Sequence, residues 1–290
     1  MKVLFIGSRS EVLERILDLN EELVCAYVTA NSYASKLLSK KNHKHKIIDK
    51  FNKNDVFLEI SKIDFDLLVS NGCPYIIPVE KIKKHHQVFI NIHPSFLPYN
   101  KGMHPMNDVL LKNRKFTGVT CHHIDEGIDT GNIIYQYKID ITKEIDLDLL
   151  YQLCFKLEAD VFEYSYNLLK KHKMIYLGFV QKKMNNVYKK ENSDKIIRCD
   201  KNKSGQIYNI VRAFSIYDKG AICFYENKII TIIDVEVITN RFLKKKYMNE
   251  PAGKVLLLYS NKFLVKTIDG IIYVKKYQAD FELLQGIILS

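Results

Sequence analysis

A chain of 290 residues, 47% hydrophobic and 27% charged, is long for a single domain, so one large and one small globular domain is the expected plan. No apolar run reaches the roughly 18–20 residues that a membrane span needs, and the apolar part of residues 1–9 is too short for a signal peptide. The net charge of +11 does not by itself mean a polyanionic partner, because the excess is almost wholly lysine and is spread along the chain, as on a solvated surface.

In chain order, residues 3–6 read as a strand, 11–19 as a helix with Val12, Ile16 and Leu19 on one face, and 23–28 as a second strand. Residues 31–45 are polar and carry no periodicity, and Ile47-Ile48 suit a short third strand. Residues 55–63 follow as a helix, with Val56, Ile60 and Ile63 aligned. Residues 66–70 form a strand that runs into the turn Asn71-Gly72-Cys73-Pro74, and 78–85 form a helix with proline in its first turn. Residues 88–92 are β-branched and aromatic, as in a buried parallel strand. A helix at 106–111 and strands at 118–124 and 132–139 complete the alternation. The pattern predicts an α/β fold: a doubly wound, mostly parallel sheet with room for an antiparallel edge.

A long helix is expected over 146–171, its apolar face running through Leu149, Leu150, Leu153, Leu157, Val161, Tyr164 and Leu168. The boundaries expected are a catalytic domain over 1–180, a Lys- and Asn-rich linker over 181–203 and a small β domain over 204–290. That last part opens with a helix at 205–213. Strands follow at 222–225, 229–237, 254–259, 263–267 and 271–277, divided by Glu226-Asn227, Ser260-Asn261 and Asp269-Gly270. Short strands separated by turn pairs indicate a small antiparallel, OB-like barrel.

Common cofactor signals are missing. Gly7 is not followed by the second and third glycines of a dinucleotide loop, and there is no G-x-x-x-x-G-K-[ST] sequence. His122 and His123 are adjacent on a strand, so they face opposite sides and do not share a metal. His43 and His45 lie in a polar loop with no acidic companion. The six cysteines show no C-x-x-C pair and sit mostly in apolar runs, which suits free thiols in a reducing cytoplasm. No metal site and no disulfide framework are expected.

Two stretches carry chemistry. Asn91 and His93 break the apolar run 88–92 at its carboxyl end, and residues two apart on a strand project to the same side. Pro94 and Pro98 then force the chain out of the sheet. In open α/β sheets, ligands lie outside the carboxyl ends of the strands. The second stretch is Asp125-Glu126-Gly127-Ile128-Asp129-Thr130-Gly131, where two glycines bracket Asp129 and permit tight turns.

Together, Asn91-Ile92-His93-Pro94-Ser95-Phe96-Leu97-Pro98 and Gly118-Val119-Thr120 through Gly131 resemble the formyltransferases that use 10-formyltetrahydrofolate. That family has glycinamide-ribonucleotide, methionyl-tRNA and amino-sugar-nucleotide branches. The resemblance covers roughly residues 1–180, with both motifs in order and at the family's spacing. It implies formyl transfer to a primary amine, with Asn91 and His93 donating to the developing oxyanion and Asp129 as the base. A carboxylate beside His93 would raise its pKa. It also implies a folate pocket between two loops. One holds Cys73, Tyr75, Ile76 and Ile77; the other holds Ile124, Asp125, Glu126, Gly127 and Ile128.

The acceptor is less clear from the residues. The order Asn100-Lys101-Gly102-Met103-His104-Pro105 is similar to the amino-sugar branch, and residues 29–40 lack the arginine-rich loop of the tRNA branch. Ser95, Lys101, Gly102 and His104 would then meet a nucleotide-linked amino deoxysugar. However, Ile210-Val211-Arg212-Ala213-Phe214-Ser215 and Gly220-Ala221 resemble an R-A-x-x-P-x-P-G-A element found in both branches, with Ile216-Tyr217-Asp218-Lys219 replacing the prolines. Methionyl-tRNA therefore stands as the alternative acceptor, and a catalytically silent folate- or nucleotide-binding protein on the same fold as the second. No membrane partner is expected, and a homodimer is.

Overall fold

Val3, Leu4, Phe5 and Ile6 are all buried in β1 (Lys2–Gly7), the strand from which the first sheet is built outward in both directions. The computed structural model describes residues 1–19, 21–184, 187–216 and 219–290, which divide into two units. The first comprises Met1–Pro105, Phe116–Asp140 and Gln152–Tyr188; the second comprises Met106–Lys115, Ile141–Tyr151 and Lys189–Ser290.

From β1 the chain runs through α1 (Glu11–Asp18), β2 (Glu22–Val28), α2 (Tyr33–Lys40), β3 (Lys46–Ile47), α3 (Lys53–Ile60), β4 (Leu67–Asn71), α4 (Val79–Ile82) and β5 (Val88–His93). It continues through α5 (Pro105–Leu111), β6 (Phe116–His123), β7 (Ile133–Asp140) and α6 (Leu147–Lys171). The strand order is β3-β2-β1-β4-β5-β6-β7. The first five pair in parallel, whereas β6 pairs antiparallel with both β5 and β7. The expected doubly wound sheet is present, with a two-strand antiparallel edge. Apolar runs in β4 and β5 are buried because helices cover both faces of a parallel sheet.

Two local expectations fail. The polar segment 31–45 contains α2, whose N-cap Ser32 accepts a hydrogen bond from Ser35 N at 3.2 Å and whose Ala34 and Leu38 are buried. A cap and two anchors suffice where tertiary packing supplies the rest. The helix expected over 78–85 is only α4, because Gln87 takes over. Its side chain accepts from Lys84 N at 2.8 Å, and its N–H donates to Lys84 O at 3.0 Å.

The second unit holds α7 (Ser204–Phe214), β8 (Ala221–Tyr225), β9 (Lys228–Val237), α8 (Arg241–Lys246), β10 (Val255–Tyr259), β11 (Lys262–Lys266) and β12 (Ile271–Ala279). The sheet is antiparallel, in the order β10-β11-β12-β9-β8. The final residues join its two edges. Val255 N donates to Ile287 O, and Phe224 and Ser290 exchange N–H···O bonds at 2.8 and 2.9 Å. That closure removes both free edges, as a barrel does.

The linker expected over 181–203 does not exist as a spacer. Of the described residues, 181–184 and 187–188 group with the first unit and 189–203 with the second, where Ile197 and Cys199 lie in the core and Ile197 N donates to Ile222 O at 2.7 Å. Lysine and asparagine content conceals these anchors. Tyr217 and Asp218, part of the proline-replacing turn, lie outside the described residues. Among the described residues no helix is long and apolar enough to cross a membrane, and no cluster of His, Cys, Asp or Glu has the makings of a metal site.

Candidate active site

Asn91 and His93 sit at the carboxyl end of β5, on the same side, as their two-residue spacing requires. Antiparallel β6 places His122 directly opposite Asn91 and Thr120 opposite His93. After β6 the chain turns back, and the close approach of Gly131 to the strand sets where the turn ends. A Cβ there would lie 1.8 Å from the His123 carbonyl oxygen. Asp129 has φ +52, in the left-handed region that Asp tolerates better than most residues. That conformation turns its carboxylate inward.

Four groups converge on the Asp129 carboxylate. Its Oδ2 accepts from Gly102 N at 2.9 Å and lies 3.5 Å from His93 Nδ1. Its Oδ1 accepts from Asn91 Nδ2 at 3.4 Å and lies 3.4 Å from His122 Nε2. Asn91 Nδ2 is also 3.2 Å from His122 Nε2. Each imidazole spends its other nitrogen on a backbone carbonyl: His93 Nε2 on Asn100 O at 3.1 Å and His122 Nδ1 on His123 O at 2.7 Å. A carbonyl only accepts, so those nitrogens carry the N–H. The nitrogens turned toward Asp129 are therefore where an additional proton would lodge.

Burial pushes the His93 imidazole below the ordinary histidine value, against the pull of Asp129 and of the Asn100 carbonyl. The expected raising of His93 by its carboxylate neighbour is real but outweighed. For Asp129 the balance goes the other way. Burial alone would raise its pKa, yet His93, His122 and the Gly102 N–H hold it well below the usual carboxylate range. Such a carboxylate is a poor resting place for a proton. It is suited to sit as a fixed negative charge beside an imidazole.

The remaining sequence candidates fall into distinct groups. Gly102 donates its N–H to the Asp129 carboxylate. Lys101 is only 4% exposed, not the solvated side chain of a surface loop, and pairs by a backbone bridge with Val187. His104 lies half-buried in the same loop. Ser95 is fully buried: its hydroxyl donates to Tyr99 O and its carbonyl accepts from Thr120, so it shapes the loop and cannot reach a substrate.

In the two outer loops, Ile124, Cys73 and Tyr75 pack against one apolar cluster, with Ile76 67% exposed beside them. Burial raises the Cys73 thiol to about 11. Ile77 is a core residue and not a pocket wall. Glu126 ties its loop to α4 by accepting from Glu80 N at 2.7 Å. Asp125 braces its own turn, accepting from Gly127 N and Thr130 Oγ1, while Ile128 is exposed at the tip.

Sequence reasoning missed His122, because a strand partner is invisible in a single strand's pattern. It also missed a buried trio at the neighbouring strand ends. Glu158 of α6 is fully buried, pairs with Arg9, and accepts from Asn71 Nδ2 at 3.0 Å. Asn71 in turn reaches Ile92 O at 3.3 Å. Burial raises the Glu158 carboxyl to about 7 despite Arg9 and Asn71.

Comparison with known proteins places these features in context. Residues 13–164 match the family model described as formyl transferase, and residues 189–281 match that of the formyl transferase C-terminal domain. The methionyl-tRNA formyltransferase of Caldicellulosiruptor saccharolyticus is 29% identical over 241 residues, 80% of this chain and 72% of that protein. Two solved structures share the fold over nearly their whole length, each with a TM-score of 0.72. WlaRD, a sugar 3N-formyl transferase crystallised with dTDP and 5-N-formyl-THF, is 24% identical, with 98% of this chain and 99% of that one covered. An N-formyltransferase from Helicobacter canadensis, in complex with folinic acid and dTDP-3-aminofucose, is 22% identical, with 96% and 99% covered.

Proposed function

The chain belongs to the formyl transferase family, and from that premise we propose that it moves a formyl group from 10-formyltetrahydrofolate to the amino group of a nucleotide-linked amino deoxysugar. The observation that carries this reading is the convergence of Asn91, His93 and His122 on the carboxylate of Asp129 at the carboxyl end of β5.

In this reading the acceptor nitrogen attacks the formyl carbon, a C–N bond forms, and the carbonyl electron pair moves onto oxygen. Asn91 carries two N–H bonds, directed at His122 and Asp129 over long distances of 3.2 and 3.4 Å. An oxyanion placed beside them competes for those protons, and one such donor is worth ~3–4 kcal/mol. The new ammonium gives its proton to Nδ1 of His93, neutral beforehand because it is buried, and the imidazolium is held against Asp129. The bond to N10 then breaks, its electron pair stays on N10, and N10 takes that proton. His93 thus donates through Nδ1 once charged, since its Nε2 is engaged by Asn100. The 10-formyltetrahydrofolate donor supplies the activated formyl group. Cys73, Tyr75 and Ile76 with 124–128 are the residues suited to its ring system, offering backbone polar groups beside apolar surface.

The sugar acceptor is supported by Asn100-Lys101-Gly102-Met103-His104-Pro105 and by the lack of arginine in residues 29–40. The alternative acceptor, methionyl-tRNA, is supported by the likeness to the Caldicellulosiruptor enzyme. Six free cysteines fit a reducing cytoplasm. The test is tetrahydrofolate release from 10-formyltetrahydrofolate with 3-amino and 4-amino nucleotide sugars and with Met-tRNA. Turnover with a sugar alone is expected. Turnover with tRNA alone selects the alternative, and no release with any acceptor leaves only a folate- or nucleotide-binding protein.

A further inference from the structure

Residues 176–181 run beside the Asp129 turn and are fixed to the strand ends that flank it. The Tyr176 carbonyl accepts from His123 Nε2 at 2.8 Å, and that of Leu177 from Asn132 Nδ2 at 3.0 Å. Phe179 and Ile133 exchange backbone bonds at 2.7 and 2.8 Å. This register brings the Gln181 side chain to the turn itself. Its Nε2 donates to two carbonyls, Asp129 O at 3.1 Å and Gly131 O at 2.6 Å. Only the NH2 side of an amide serves two carbonyls, so the orientation is settled. The other end, Oε1, is buried with no hydrogen-bond partner among the described residues. The chain leaves one acceptor unmade to keep both donors where they are.

We infer that Gln181 is a positioning residue for Asp129, clamping the carbonyls on either side of Thr130 so that the left-handed turn aims the Asp129 carboxylate at His93, His122 and Asn91. This rests on the formyl-transfer reading for its kinetic consequence, but not for its geometric one. Without the clamp, Asp129 can return to the right-handed backbone that non-glycine residues favour, and its carboxylate leaves the imidazoles. Misplacing such a group by about 1 Å can cost on the order of 100-fold in rate.

The test compares the parent protein with Gln181→Glu, which keeps the shape but presents no N–H, and with Gln181→Met. A roughly 10- to 100-fold fall in kcat is expected in both, with KM for donor and acceptor within about twofold. Placing Gln181→Glu in an Asp129→Asn background should cause no further fall. In the resting protein, the His93 titration followed by NMR, assigned with a His93→Gln variant, should move to lower pH as Asp129 withdraws. A kcat within about twofold of the parent in a folded variant, an unmoved His93 titration, or an undiminished loss in the Asp129→Asn background would each overturn the inference. If the parent transfers formyl to no acceptor, the functional reading fails while the NMR comparison still decides the role of Gln181.

Discussion

Asn91 and His122 stand directly opposite each other across β5 and β6, and the amide nitrogen of the first lies 3.2 Å from Nε2 of the second. The strand pairing thus gives the Asn91 amide a fixed neighbour on the adjoining strand. His122 Nδ1 is engaged by its own strand's backbone, so the ring cannot turn away. Replacing His122 with Phe keeps the bulk and removes the contact. The expected outcome is a kcat fall of about 10- to 100-fold, as for a misaimed donor, with donor affinity unchanged. Steady-state kinetics with equilibrium folate binding checks it; parent-like turnover would show that His122 only fills space.

Asp129→Asn keeps a residue type that accepts positive φ, so the turn should survive. What is lost is the negative charge facing the two imidazoles. Single-turnover formyl transfer should slow by roughly 10²- to 10⁴-fold, and thermal unfolding should change little. A variant transferring formyl at the parent rate would remove Asp129 from the mechanism.

The pH dependence follows from His93. Its pKa is lowered in the folded chain from the ordinary 6.5, mainly by burial, so the unfolded chain takes up this proton first as pH drops. Stability should therefore decline as pH falls below about 6.5, and level off only once the folded imidazole is protonated. Activity should persist below 6.5, because the neutral ring needed as proton acceptor persists there. An acid limb of kcat/KM centred above 6.5 would contradict this.

Glu158 predicts the opposite slope. Its carboxyl is raised from 4.5 to about 7, with burial the largest cause. Between those values the folded chain holds a proton that the unfolded chain has released, so this contribution to stability shrinks as pH rises from about 4.5 to about 7. Glu158→Gln keeps the side chain's shape, leaves an acceptor for Asn71 and cannot titrate. Unfolding curves for parent and variant should diverge across that window and run parallel above it. Parallel curves throughout would mean that the Arg9 pair cancels the effect of burial.

Gly102 has φ +94, and a Cβ there would lie 2.9 Å from Val187 Cγ1. Its N–H is also the shortest contact of the Asp129 carboxylate, at 2.9 Å. Gly102→Ala should cost about 1–2 kcal/mol from the backbone conformation alone and lower kcat with it. Adding Val187→Ala should relieve the crowding and recover part of the stability, not all of it. Urea unfolding of the three proteins measures both effects.

Much of this protein was legible in its sequence because the relevant signals are local. The apolar runs at 3–6, 66–70 and 88–92 gave the parallel strands, since burial on both faces demands continuous hydrophobicity. The two-residue spacing of Asn91 and His93 placed them on one side by strand geometry, and the glycines around Asp129 marked its turn. Short strands with turn pairs marked the second unit's barrel. Tertiary structure decided what depends on chain segments far apart. His122 joined the site because antiparallel pairing set it against Asn91. Gln181 joined it because residues read as a linker lie along the turn. Ser95 and Ile77 left it because packing closed over them. The pKa balance could not be anticipated either: His93 and Glu158 are buried only once the chain has folded, and the opposite charges set beside them, Asp129 and Arg9, come from the loop after β6 and the loop after β1. Local pattern fixes an element's type and facing, but a side chain's surroundings exist only once distant segments have packed around it.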